Sequence, residues 1–156
     1  MARQKAESDL AYPARLRREP EGGFTVTFPD FGFGVTYGRD RAEALRQAAD
    51  LLETIVANCL AEGWEVPAPA AARGRPLVAL DPLVAIKVEL YRAMRAAGVT
   101  KAELARRMGI APQQAQRLFD INHGSRIDQL AAAFAALGRR LVITSEAACA
   151  AMIVAV

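Results

Sequence analysis

Residues 100–118 constrain this chain more than any other stretch, because their spacing reads as two short helices joined by a tight turn. Thr100 with Glu103 three residues on forms a capping box, which starts a helix. Leu104, Ala105 and Met108 then share an apolar face, Gly109 supplies a position that needs positive φ, and Pro112 suits the first position of a second helix. Ala115 and Leu118 point back at the first helix. Gln113, Gln114, Gln116 and Arg117 are left facing outward, with amide and guanidinium groups that match the edges of adenine and guanine in a major groove. The pattern is that of a DNA-reading helix-turn-helix, with Arg106, Arg107 and Arg126 better placed for the phosphate backbone. A helix face that is merely solvated is usually richer in Glu and Lys.

The 156 residues, 53% of them hydrophobic, suffice for one large domain or two small ones. Charge divides them unevenly: residues 1–70 carry a net −3 and residues 71–156 a net +6. The second half therefore suits a phosphate backbone, and the first would repel one while attracting a basic protein. With no apolar run of about 18 residues and no apolar leader after Met1, the chain is expected in the cytoplasm, away from membranes. Cys59 and Cys149 are far apart and lack a second cysteine or histidine at metal-ligand spacing, so both read as buried thiols. No cofactor or metal is called for.

The natural break is at residues 67–76, where Pro, Gly and Ala replace hydrophobic periodicity. Ahead of it, residues 12–18 and 24–28 read as a hairpin joined through Glu19-Pro20-Glu21-Gly22-Gly23, with Phe24, Val26 and Phe28 inward. Residues 35–37 make a third short strand. Asp40 and Glu43 then cap a helix whose stripe is Leu45, Leu52, Ile55, Val56 and Cys59 and which Gly63 ends. Residues 77–80 can return as a fourth strand, for a β-β-β-α-β unit. Beyond the break the chain reads as all helix. Asp81-Pro82 opens a helix to about Gly98, the helix-turn-helix follows, and Ser125 with Asp128 caps another that runs to Gly138. Residues 141–144 look extended. The expected class is α+β, divided into an amino-terminal domain at 1–70, a linker at 71–80, a DNA-binding domain at 81–146 and an apolar tail at 147–156. Such a tail is an aggregation hazard if free, so it is expected to pack or to pair across a dimer.

The order Tyr12-Pro13-Ala14, Gly23-Phe24 through Phe28-Pro29-Asp30, Thr36, Gly38, Glu43-Ala44-Leu45 and Gly63 before Pro67 resembles the amino-terminal motif of the HicB antitoxin family. The partner of that family, HicA, is a small messenger-RNA-cleaving toxin. Lys87, Leu90-Tyr91 and Ala93-Met94, then the helix-turn-helix and His123-Gly124, resemble the family's version with a DNA-binding carboxy-terminal half. The resemblance covers most of the chain and stops before the tail. It implies a truncated RNase H-like fold in the first half that blocks the toxin, and repression of the chain's own operon by operator binding through the second; because one helix-turn-helix buries little DNA surface, a homodimer or higher homo-oligomer is expected, with the apolar tail as its glue. Glu19, Glu21 and Asp30 become an acidic rim for the toxin. Phe31-Gly32-Phe33-Gly34 stands where the family usually has Leu-Pro-Gly-Cys, which predicts a looser turn with Phe31 and Phe33 as core or as toxin contacts.

Two other readings compete. In one, the chain is a one-component regulator whose first half senses a small ligand. In the other it is a weak nuclease, since Asp30, Asp40 and Asp50 look like metal-binding carboxylates. Each has a plainer explanation: Asp40 caps a helix, Asp50 lies on a helical surface near Arg46, and Asp30 follows a proline in a turn. His123, the sole histidine, has no partner arranged as in a triad, and Gly32/Gly34 lacks the third glycine and lysine of a phosphate loop. Enzymatic activity is therefore not expected.

Overall fold

The structure, a computed structural model, describes residues 10–145 and 147, together with the backbone of Met152–Val154. Pro13 makes the first departure from the sequence reading. The single strand expected over 12–18 is two, β1 (Ala11–Pro13) and β2 (Arg15–Arg18), which belong to different sheets. Proline has no N–H for a ladder, and next to it Ala14 donates its N–H to Pro76 O at 2.9 Å as the chain passes from one sheet to the other. β2 pairs antiparallel with β3 (Phe24–Thr27), and β3 with β4 (Thr36–Gly38). The hairpin register places Leu16 opposite Val26 and Arg17 opposite Thr25, so one face is apolar and the other is left to solvent.

That apolar face is covered by α1 (Arg41–Glu62). The Asp40 side chain accepts the Glu43 N–H at 2.8 Å, while the Glu43 carboxylate reaches back one residue further than a capping box requires, to Arg39 N at 2.7 Å. Gly63 closes the helix at φ 73°, as its spacing predicts. Leu52, Ile55, Val56 and Cys59 are buried as expected, but Leu45 is only half-buried. Ala44, Ala48 and Ala49 take the inner positions of the first turns instead, and at Ala44 the backbone of Gly38 in β4 lies close against the helix. Burial of Leu52, Ile55, Val56 and Leu60 contributes roughly 2 kcal/mol for each side chain.

β5 (Leu77–Ala79) is the strand expected near 77–80, yet it does not extend the hairpin. It pairs antiparallel with β1, Tyr12 opposite Val78, and parallel with β6 (Met152–Val154), Val78 opposite Ile153. The apolar tail thus contributes an edge strand beside β5 of its own chain, and the rest of residues 148–156, including Cys149, lies outside the described residues. Residues 141–144, expected to be extended, join neither sheet.

The helices beyond β5 are α2 (Pro82–Ala96), α3 (Lys101–Met108), α4 (Pro112–Arg117) and α5 (Ile127–Ala136). Asp81 caps α2, with Pro82 in its first turn. The N-cap of α5 is Arg126, and its N–H goes to Gln129 Oε1 at 3.4 Å. The Ser125 and Asp128 cap is corrected accordingly: Ser125 Oγ donates to Arg117 O, and Asp128 pairs with Arg126. A continuous buried core runs from Tyr12, Val26 and Ile55 through Val88 and Tyr91 to Leu104, Leu118 and Leu130, spanning both halves. α2 strengthens the junction. Tyr91 donates to Trp64 O at 2.7 Å, Arg92 to Val66 O at 3.0 Å and Pro67 O at 2.6 Å, and Arg95 to Gly63 O at 2.5 Å.

Candidate functional site

Two surfaces gather the residues that the sequence singles out, and α3 with α4 forms the first. Thr100 Oγ1 accepts the Glu103 N–H at 3.1 Å, which is half of the expected capping box. The other half is absent because Glu103 turns its carboxylate to Arg106, at 2.6 and 2.8 Å, and to Arg107 at 3.0 Å. Those two guanidiniums hold the Glu103 carboxyl down at about 2. Gly109 has φ 65° and donates to Ala105 O and Arg106 O, ending α3. Pro112 then opens α4 after the extended Ala111. Leu104, Ala105, Ala115 and Leu118 are buried between the helices, and Met108 is half-buried against the core.

Gln113, Gln116 and Arg117 are exposed and line one side of a cleft of about 670 Å³, with Asn58 and Ala61 of α1 opposite and Lys101 at its edge. Gln114 is exposed too, but its Oε1 accepts the Ala111 N–H at 3.1 Å, supplying the cap that alanine cannot. It therefore has a structural duty that its spacing did not reveal. The three backbone candidates are all in surface ion pairs: Arg106 and Arg107 with Glu103, and Arg126 with Asp128 at 2.6 Å. Exposed pairs of this kind are worth at most about 1 kcal/mol, so a phosphate can displace the carboxylate. Arg117 carries no ion pair among the described residues.

In the sequence Lys87 stands only as part of a family-like motif, yet its side chain is fully buried. Its ammonium donates to Arg117 O at 3.2 Å, Asp120 O at 2.5 Å and His123 O at 2.5 Å. Burial pushes its pKa down, and the Asp120 carboxylate partly offsets this. A signal for it existed: Val84, Lys87, Val88 and Tyr91 are spaced so that the lysine falls on the apolar face of α2.

The second surface surrounds the turn after β3. Tyr12 packs on Phe31 with ring centroids 4.8 Å apart and planes tilted by 48°, Phe31 meets Phe33 at 6.4 Å, and Phe33 meets Trp64 edge-on at 5.7 Å. Phe31 and Gly32 both donate their N–H groups to Phe28 O, and Asp30 accepts the Ala70 N–H at 3.2 Å. The turn predicted to be loose is thus tied down by hydrogen bonds and ring packing. Phe31 is half-buried, whereas Phe33 is 38% and Trp64 49% exposed. Asp30, Glu65 and Pro67 join these three aromatics around a shallow cavity of about 190 Å³. Trp64 escaped the sequence reading, although an apolar residue directly after a helix-ending glycine is a known packing position. Glu21 is exposed. Glu19 is engaged within its own hairpin, accepting from Thr25 Oγ1 at 2.5 Å and from Arg17, which together lower its pKa.

Among the described residues no group of three or more His, Cys, Asp or Glu is placed to hold a metal ion, and no helix is long and apolar enough to cross a membrane. Asp40 is occupied as a cap, and burial raises the pKa of the Cys59 thiol.

Residues 11–89 match the family described as HicB_like antitoxin of bacterial toxin-antitoxin system. Antitoxin HicB 1 of Photorhabdus laumondii is 34% identical over 138 residues, covering 88% of this chain and 88% of that protein. Antitoxin HicB of Escherichia coli K12 is 36% identical over 133 residues, 85% of this chain and 96% of its own length. Antitoxin HicB of Pseudomonas fluorescens is 37% identical over 108 residues, or 68% and 74%.

Proposed function

This chain belongs to the HicB-like antitoxin family of bacterial toxin-antitoxin systems, and we propose that it neutralises a HicA-like RNA-cleaving toxin with its first half and represses its own operon with its second. The antitoxin role carries no catalysis of its own. We read the sheet β2-β3-β4 under α1 as the truncated RNase H-like fold, and α3-turn-α4 as a helix-turn-helix. The observation that carries the DNA reading is α4 itself. Gly109 and Pro112 set a sharp turn, Ala115 and Leu118 pack inward, and Gln113, Gln116 and Arg117 are exposed on the half of the chain that carries the net positive charge. One such unit buries little DNA surface, so a homodimer reading half-sites about 34 to 36 Å apart is the working assembly.

For the toxin, the exposed Phe33 and Trp64 rings with Asp30 and Glu65 beside them offer aromatic anchors with an acidic edge, and Glu21 is exposed on the hairpin turn. Because the core is shared between the halves, the test uses the full chain. Co-expression of the full chain with a HicA-like toxin should rescue growth, and Trp64→Ala or Phe33→Ala should weaken that rescue while leaving DNA binding intact. For DNA, titration of operator and scrambled duplexes at several salt concentrations separates the roles. Gln113→Ala or Arg117→Ala should cost about 1 to 3 kcal/mol on the operator and relax preference. Arg107→Ala should weaken all duplexes alike and reduce the salt slope by about one. If Gln113→Ala and Arg117→Ala both leave operator preference unchanged, α4 is not the reader.

A further inference from the structure

We propose that Lys87 is the positioning residue of the DNA-reading helix, using its buried ammonium to hold the end of α4 and the following loop at the angle that base contact requires. This rests on α4 being the reader. Three carbonyls from three points of the chain, those of Arg117, Asp120 and His123, converge on one nitrogen of α2. The carbonyl of Arg117 is among those a helix end leaves without an intrahelical partner, and Arg117 is also a proposed base contact. By holding that carbonyl, Lys87 sets the backbone from which the exposed Arg117 side chain reaches out. The loop's own bonds are short-range or long: the Asp120 N–H reaches Arg117 O at 3.3 Å, Asp120 receives the Asn122 N–H at 2.9 Å and the His123 N–H at 3.1 Å, and Ser125 reaches Arg117 O at 3.5 Å. Among the described residues, only Lys87 therefore ties the loop to another helix through hydrogen bonds.

Relaxation without the ammonium should be local. Asp120, Asn122 and Gly124 are exposed and Ile121 and His123 half-exposed, so the released carbonyls can turn to water by swinging the loop, without opening the core. Because α2 is anchored by Val84, Val88 and Tyr91 in that core, the fixed end of the strut stays in place. The loop from Asp120 to Gly124 moves and the carbonyl end of α4 tilts with it, while Leu118 and Phe119 stay packed in the core.

The test compares Lys87→Met, an apolar side chain of similar length, with Lys87→Gln, which keeps two donors. Lys87→Met should lower operator preference over a scrambled duplex about tenfold, the size of one lost bidentate base contact. Scrambled-duplex affinity should change less than threefold, and toxin neutralisation not at all. Amide exchange should accelerate at least tenfold over residues 120–124 and remain as it was in α1 and α2. Lys87→Gln should recover part of both effects. A purely structural lysine would instead give variants whose DNA and toxin binding fall together with thermal stability, which overturns the proposal, as does unchanged operator preference in Lys87→Met. Should Lys87→Met not fold, Lys87→Gln carries the same comparison. Arg117→Ala run in parallel separates the two failures: no loss there refutes α4 as reader, while a loss there with none in Lys87→Met refutes the strut alone.

Discussion

Gly38 tests how closely α1 and the sheet are built together. A methyl carbon placed on it would sit 2.2 Å from Ala44 N, 2.4 Å from Ala44 Cα and 2.8 Å from Ala44 Cβ. Non-bonded atoms settle near 3.5 to 4.0 Å, so Gly38→Ala must open the β4 to α1 contact by about 1 Å. Two of those obstacles are backbone, so no rotamer change relieves them. Core overpacking costs about 1 to 3 kcal/mol, occasionally more, and a clash with backbone places this change at the upper end. At roughly 2 to 4 °C per kcal/mol for a chain of this size, about 3 kcal/mol lowers the melting temperature by about 6 to 12 °C. Gly63→Ala is the control. Nothing lies within 4 Å of its new methyl group, and only the left-handed φ of 73° resists it, at about 1 to 2 kcal/mol. Thermal unfolding followed by circular dichroism, with urea titration to check that the m-value is unchanged, measures both. If Gly38→Ala melts within about 2 °C of the parent, or no lower than Gly63→Ala, the argument from close approach is refuted.

Burial holds the Tyr12 phenol up at about 12, above its unfolded value of 10, so the stability this provides is complete below pH 10 and is lost as pH rises through about 12; absorbance titration at 295 nm should show one phenolate forming well above pH 10. Glu103 behaves oppositely. Arg106 and Arg107 depress its carboxyl to about 2, so its contribution is present above about pH 4.5 and disappears as pH falls toward 2, and Glu103→Gln should remove that part of the acid dependence in a melting series. Arg92→Met deprives Val66 O and Pro67 O of charged donors and should cost about 2 kcal/mol by urea unfolding, with faster amide exchange in residues 63–70.

What could be read from the sequence was local. Asp40 with Glu43, Gly63, Asp81-Pro82, Thr100, Gly109 and Pro112 mark helix ends through hydrogen bonds and backbone angles that span only three or four residues, so the order of letters determines them. The inward faces of α3 and α4 follow from helical spacing in the same way, as does the family resemblance, which is itself an order of motifs. Even locally, competition decided some details: Ser125 had the chemistry of a cap, but Arg117 O claimed its hydroxyl, and Glu103 chose two arginines over the Thr100 N–H. Partners distant in the chain were set by the tertiary structure. Proline 13 announces a break, yet only closure of the backbone hydrogen bonds sends Tyr12 to Val78 and Leu16 to Val26, in separate sheets. Trp64 joins Phe33 across 31 positions, and Lys87 meets Asp120 across 33. A buried ammonium must find its acceptors, and a buried strand its ladder, wherever the packed core brings them, so these pairings are properties of the whole fold rather than of any window of residues.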